Sequence, residues 1–396
     1  MRVCMLAYTF YESDSRVIYY AEELAKRGDH VDVIALRKDG QMAYEVLSGV
    51  HVYRIQKRKT NEKSSLSYLF KILIFLLKSC YFVAKKHVIK PYDLIHVHSV
   101  PDFEVFAAII PKFSGAKIIL DIHDIVPEFY AVKFNKTEDS ILFKSLVVAE
   151  RLSIAFSDHV IIANDIWKEK LLNRSVQTKK CTAILNYPSK IWTKNLKKVR
   201  DDGKFIIIYP GSLNWHQGLD IAINALALIR DKAPEIEFHI YGDGPEKKEL
   251  IKQVERLKLQ ERVIFQDEVP ISFVPEIMAN ADLGIIPKRN DKFGGEAFST
   301  KSLEFMSVGV PIIVARTKID SYYFNDNIVK FFEPGNEKDL ADAMFEMIKN
   351  KKLREQLAKN ASEFVKKYSW EANKHIYLNL VDSLVGKEGR TKDIVL

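Results

Sequence analysis

Two acids with seven residues between them, Glu296 and Glu304, enclose the stretch Ala-Phe-Ser299-Thr300-Lys301-Ser-Leu. Ionised carboxylates accept hydrogen bonds and donate none, which suits a ligand rich in hydroxyls. The chain continues Phe-Met-Ser-Val-Gly309-Val-Pro311-Ile-Ile-Val-Ala315. Ser299 or Thr300 fits the N-cap of a short helix, Gly309 fits its C′ position, and 310–315 reads as a buried parallel strand. Glu304 then stands on the helix and Glu296 on the loop before it. The free N–H groups at the helix start favour a phosphate. Such a loop lies at the carboxyl end of the preceding strand, where open α/β sheets bind ligands. Hydroxyl acceptors beside a phosphate site describe a sugar nucleotide.

A second polar turn ends the run Ile118-Ile-Leu-Asp121-Ile-His123-Asp124-Ile-Val-Pro-Glu128. His123 falls where catalytic groups sit in such folds, and Asp124 is placed to orient its imidazole. His96 and His98, in Ile-His-Val-His-Ser, share one face of another strand. Packing and lining the ligand site are both open to them. The loop after the first strand, Thr9-Phe-Tyr-Glu-Ser-Asp14-Ser15-Arg16, contains no glycine, and the first glycine of the chain is Gly28. A dinucleotide cofactor needs a glycine-rich turn there, so nicotinamide or flavin binding is not expected. Asp14 or Ser15 fits an N-cap. Arg16, in the first helical turn, either contacts an acceptor or a phosphate or merely belongs to a capped helix. Asp14, Ser15, Arg16, His98 and Asp124 make up the expected acceptor side.

These positions need elements to hold them. Apolar runs alternate with helical patterns along all 396 residues, the rhythm of parallel βαβ units. The polar stretch 188–202 divides the chain into Rossmann-like domains at 1–187 and 203–369, and 370–396 is expected as a helix crossing back to the first. At 47% hydrophobic and 28% charged the composition is that of a soluble globular protein. Cys4, Cys80 and Cys181 match no metal-ligand spacing and suit a reducing compartment. The N-terminus reads as a strand rather than a signal segment, so a cytoplasmic location is expected. Residues 51–90 hold ten Lys/Arg against one acid, Glu62, which accounts for the net charge of +8. Within them, Lys71, Lys78 and Lys85 lie seven apart on a very apolar helix, 66–86. The lysines argue against a transmembrane span, and the region 57–90 is a candidate for an anionic membrane surface as much as for a domain helix. No motif for nucleic acid accompanies the charge.

The Glu296–Glu304 segment with its Gly-Val-Pro continuation resembles the E-x7-E signature of family 4 retaining glycosyltransferases, the group that builds bacterial polysaccharides. The resemblance implies an α/β GT-B fold, two Rossmann-like domains facing each other across a cleft. It also implies Glu296 by the donor sugar, Glu304 on the ribose hydroxyls, and His123 beneath the reacting centre. Tyr209-Pro-Gly211-Ser212-Leu-Asn-Trp-His-Gln217-Gly218 is similar to a turn where the family carries Arg after the first glycine and Lys before the last. Here those positions hold Ser212 and Gln217, so Lys301 is the expected source of the missing charge, with Lys288 and Arg289 behind it. Gly242 and Gly244, in Tyr-Gly-Asp-Gly-Pro-Glu, resemble the family's Gly-x-Gly-Pro turn by the nucleotide. No acid-x-acid pair follows a strand in the pattern of metal-dependent enzymes, so neither metal nor other cofactor is expected. The implied activity is transfer of a sugar, UDP-linked, to a glycan or lipid-linked acceptor. A non-catalytic binding subunit and a sugar-nucleotide epimerase are the rival readings.

Overall fold

The computed structural model describes residues 1–58, 65–192, 196, 200 and 202–386. Lys59, Glu62 and Lys63 of the basic region, linker positions 193–195, 197–199 and 201, and the expected terminal segment 387–396 lie outside the described residues. The chain forms two compact units, Met1–Asn186 with the segment from Lys374, and Tyr187–Asn373.

The first unit is built on β1 (Arg2–Ala7), β2 (His30–Arg37), β3 (Tyr44–Leu47), β4 (Val50–Lys57), β5 (Leu94–Ser99), β6 (Lys117–Ile122), β7 (His159–Ile162) and β8 (Cys181–Ala183). They align as β3-β4-β2-β1-β5-β6-β7-β8. All pairs are parallel except β3 with β4. Strands covered on both faces read as unbroken apolar runs, and every residue of β1 and β5 is buried. The helices are α1 (Ser15–Lys26), α2 (Ser65–Ile89), α3 (Ile109–Phe113), α4 (Val126–Lys133), α5 (Ile141–Phe156) and α6 (Asp165–Arg174). Asp14 caps α1 by accepting from Val17 N–H, and Val17, Tyr20, Ala21 and Leu24 bury one helical stripe. The crossovers from β4 through β7 run opposite to that from β1 to β2. Right-handedness therefore places α2, α3 and α5 on the other face of the sheet from α1.

α2 buries Ile72, Phe75, Ser79, Val83 and His87, but its outer face is also apolar. Phe70, Leu73, Leu77, Tyr81 and Val88 are exposed there, Leu77 at 69% and Val88 at 75%. Lys71, Lys78 and Lys85 share one edge of that face, as their spacing requires, with Lys71 half-buried. The lysines do not exclude a span as expected. By length and composition, 67–89 is long and apolar enough to cross a membrane, although its inner face packs on the domain.

The second unit contains β9 (Phe205–Pro210), β10 (Ile236–Tyr241), β11 (Val263–Gln266), β12 (Leu283–Ile286), β13 (Ile312–Ala315) and β14 (Lys330–Phe332). Its order, β11-β10-β9-β12-β13-β14, is all parallel and reverses direction at β9, the doubly wound pattern. α7 (Leu219–Ile229), α8 (Lys247–Arg256), α9 (Val274–Ala279), α10 (Thr300–Ser307), α11 (Lys318–Tyr323), α12 (Glu337–Lys349) and α13 (Lys351–Lys366) cover it. α14 (Trp370–Leu384) starts in this unit, where Trp370 N–H donates to Pro188 O at 2.9 Å, and continues into the first. β3 and β14 are the strands that the apolar runs did not announce. The first is a four-residue, half-exposed edge hairpin and the second only three residues long, too short for a period to register.

Candidate active site

In the second unit the reversal of strand order opens a crevice at the carboxyl ends of β9 and β12. The loops entering it are tied to one another through backbone. Gly211 N–H donates to Tyr241 O (2.8 Å), Leu213 N–H to Asp243 O (2.9 Å), Glu246 N–H to Leu213 O (3.0 Å) and Arg289 N–H to His216 O (2.9 Å). Gly242 and Gly244 thus lie beside the turn of Gly211 and Ser212. Gly218 has φ +68°, and a Cβ on it would stand 2.0 Å from Pro287 O. Gly218→Ala is therefore expected to cost at least about 2 kcal/mol through left-handed backbone and backbone clash together. Urea unfolding of the variant measures this, and a midpoint equal to the parent's would mean the β9 and β12 loops are not held this closely.

Ser299 is the N-cap of α10 and Gly309 takes φ +74° after its end. The Ser299 and Ser302 hydroxyls are buried and find no hydrogen-bond partner among the described residues. Thr300 opens the helix, Ser212 is exposed, and Gln217 ends the short helical turn Trp215–Gln217. Lys301 Nζ approaches to 3.2 Å of where a Cβ on Gly211 would stand and lies 5.1 Å from the Tyr209 ring centre. It makes no ion pair within 4 Å among the described residues. Burial lowers its pKa against the opposing pull of Glu304, while burial pushes Glu304 up to about 7 against the pull of Lys301. The two cations expected behind Lys301 are occupied. Lys288 Nζ lies 2.7 Å from Asp320 Oδ2 and donates to Ala297 O, and Arg289 forks onto Asp220 at 2.9 and 2.7 Å. Glu296, on the loop, accepts from Lys318 Nζ at 3.0 Å.

In the first unit Asp121 is the hub. Arg16 Nε and Nη2 fork onto its two oxygens at 2.8 Å each, and Arg16 Nη1 donates to Ile184 O at 2.7 Å. His98 Nδ1 and His123 Nε2 each lie 3.3 Å from Asp121 Oδ2 and 3.2 Å from each other. His96 stacks on His98 with ring centres 4.1 Å apart and shares a 3.0 Å hydrogen bond with Tyr377 Oη. Burial opposes the Asp121 charge, but Arg16 and His123 hold its carboxyl well below the usual range. Burial likewise works against a charged His123, and Asp121 more than offsets it, raising His123 above the ordinary histidine value. His98 and His96 are driven down by burial, to about 4 and about 3.

Two expectations are corrected here. Arg16 is buried and spent on Asp121 and a carbonyl, so it meets neither acceptor nor phosphate. The carboxylate that orients His123 is Asp121, not Asp124, whose own pKa burial raises. Asp14 caps α1 and Ser15 begins it, beneath this cluster. His96, His98 and Asp121 bring ligand atoms within 4.8 Å of one another, but the guanidinium fork on both Asp121 oxygens makes the cluster a poor cation site. Asp121 was missed because it stands in an apolar strand, and its partners come from 105 residues away on α1 and from register opposite His98. Tyr377 gave no signal in sequence. His216, lowered by burial and by Lys301 and Lys288 despite Asp291, was passed over although it stands in the glycine turn itself.

A two-domain α/β protein with parallel sheets and this crevice has the GT-B architecture. Residues 14–186 match the family described as Glycosyltransferase Family 4, and 190–364 the one described as Glycosyl transferases group 1. The chain is a GT-B glycosyltransferase of the group 1 type, transferring sugar from nucleotide sugars. It is 23% identical to the 2-deoxystreptamine N-acetyl-D-glucosaminyltransferase of Niallia circulans, over 78% of this chain and 82% of that one. It is 28% identical to the O-antigen biosynthesis glycosyltransferase WclY of Escherichia coli, over 67% of this chain and 72% of that one. Among solved structures, Anabaena HepE in complex with UDP and glucose superposes with a TM-score of 0.73 at 19% identity, over 96% and 99% of the two chains.

Proposed function

We propose that the chain is a retaining, metal-independent hexosyltransferase that takes its sugar from a UDP-sugar and passes it to a glycan or lipid-linked acceptor in bacterial surface polysaccharide or glycolipid assembly. The observation that carries the reading is Lys301, set against the Gly211 turn beside the unsatisfied Ser299 hydroxyl at the start of α10. A diphosphate there meets a cation, hydroxyls and helix N–H groups together. Glu304, one turn along the helix, accepts from the ribose, and Glu296 lies by the sugar. Lys301 answers the departure at Ser212 and Gln217. UDP as the nucleotide rests on the HepE complex, and the surface-polysaccharide role on the O-antigen relative. A cytoplasmic location, peripheral on the inner face of the membrane, rests on the apolar outer face of α2 and its lysine edge.

His123, at the end of β6 with its orientation fixed by Asp121, acts beneath the reacting sugar. Incubation with a panel of sugar nucleotides should release nucleoside diphosphate from one of them. His123→Ala is expected to lower that turnover about 10²- to 10⁴-fold while leaving nucleoside diphosphate affinity within about twofold. Turnover surviving within a few-fold makes His123 structural, and no release from any donor removes the transferase reading.

A further inference from the structure

The first unit contains a cavity of about 780 Å3, within the range of small-molecule sites. It is bounded by Ile72 of α2, Tyr130 of α4 and Leu146 of α5, and its floor is formed by Val100, Pro101 and Asp124 at the ends of β5 and β6. Asp124 follows His123 directly, so the floor adjoins the proposed reaction centre. Among the described residues two cations line it. Arg58 lies 5.2 Å from the Tyr68 ring centre, and Lys133 lies 5.7 Å from that of Tyr130. Leu69, Phe134 and Leu142 line the cavity and are also exposed, which shows where it opens. The residues beyond that opening are apolar and exposed as well: Phe70 and Leu73 on α2, and Ile141 on α5 at 88%.

A cavity with a carboxyl at its floor, two cations and a mouth set among exposed apolar side chains is complementary to an anionic amphiphile. Resting on the transferase reading, we infer that the acceptor is a lipid phosphate. Its alkyl or prenyl chain runs between α2, α4 and α5, its phosphate meets Arg58 and Lys133, and a headgroup hydroxyl beyond the phosphate reaches Asp124. That oxygen bonds to the donor sugar's anomeric carbon as the bond to the nucleoside diphosphate breaks, and the diphosphate and the hydroxyl proton leave. Burial raises both Asp124 and Asp102, the latter to about 7, so these acids stand near the phosphate with reduced repulsion. The apolar outer face of α2 then serves as the approach, since the chain can pass from a bilayer to the cavity along apolar surface.

The test is calorimetric titration of the full chain with octyl, decyl and dodecyl phosphate below their micelle concentrations, with inorganic phosphate and the matching alcohols alongside. Each methylene that enters the cavity should tighten binding about fourfold. Arg58→Gln combined with Lys133→Gln should weaken the alkyl phosphates about tenfold or more and leave the alcohols unchanged. Ala149→Leu, or Leu146→Trp if the first variant unfolds, should break the chain-length series. Affinity independent of chain length, or inorganic phosphate binding as well as dodecyl phosphate, overturns the inference. No sugar nucleotide is present in these titrations, so failure here leaves nucleoside diphosphate release standing, and failure of that release leaves the cavity result standing.

Discussion

In Asp121→Asn, His123 is expected to titrate below the ordinary histidine value instead of above it. In the native chain Asp121 outweighs burial and keeps the imidazole protonated to higher pH. Without it, burial and the neighbouring Arg16 charge both lower the imidazole, opposed by the weaker pull of Asp14. The same substitution strips a buried guanidinium of its partner, which costs about 3–5 kcal/mol. At roughly 2–4 °C per kcal/mol for a unit of about 200 residues, melting should fall by some 6–20 °C. The pH dependence has a definite sign. Because the folded value of His123 is raised, its stabilisation is complete below the unfolded value and lost as pH rises through the folded one. Asp121, held low, stabilises above its unfolded value, and that contribution disappears only in strong acid. Proton NMR titration of the imidazole reads the first effect and thermal melting the second. A His123 midpoint that stays above the ordinary value would assign its orientation to another group.

Lys301→Met should weaken nucleoside diphosphate binding by about ten- to a hundredfold, the equivalent of about 1.5–3 kcal/mol for a charged hydrogen bond, and barely alter binding of the bare nucleoside. The fold should not suffer. Lys301 is a desolvated cation with no ion-pair partner within 4 Å among the described residues, and Met preserves its apolar stem. A second consequence follows from the coupling. Lys301 lowers the Glu304 carboxyl against burial, so its loss should move the Glu304 midpoint upward from about 7. A carboxyl raised on folding takes up a proton as the chain folds, so stability grows as pH falls from about 7 toward 4.5, and in the variant the upper edge of that window moves to higher pH while the lower edge stays. Calorimetry with the two ligands separates the effects. Equal losses for diphosphate and nucleoside would mean that Lys301 does not meet the phosphates.

Most of the frame and the second-unit site were legible because their signals are local. The strand, glycine turn and helix start that hold Gly211, Gly218, Ser299 and Glu304 follow one another along the chain, and each residue type implies its backbone conformation. The first-unit site is different. Arg16 was read from its place in a helical turn, which says where a side chain begins but not what it reaches. Its partner lies 105 residues on, in a strand whose apolar neighbours hide a charge. Asp124 was preferred over Asp121 as the orienting acid because it adjoins His123 in sequence. Strand alternation puts Asp121 on the face of His98 and Arg16 instead. Long-range pairing of polar groups leaves no period behind.

The hydroxyl of Tyr377 reaches His96, its ring stacks on Tyr20 at 4.0 Å, and Asp382 five residues on pairs with Arg27 at 2.9 Å. These groups close the core of the first unit, yet they are translated after the whole of the second. At about 5–20 residues per second, the ribosome delivers them roughly 10–40 seconds after residue 186. During that interval the nascent first unit lacks the helix that covers its buried histidines, and it must wait, incomplete, while the second unit is free to fold. Order of synthesis and order of completion are inverted. A ribosome stalled just before Tyr377 would hold an N-terminal unit with an open core, a target for chaperones and proteases, although the second unit had been synthesised in full.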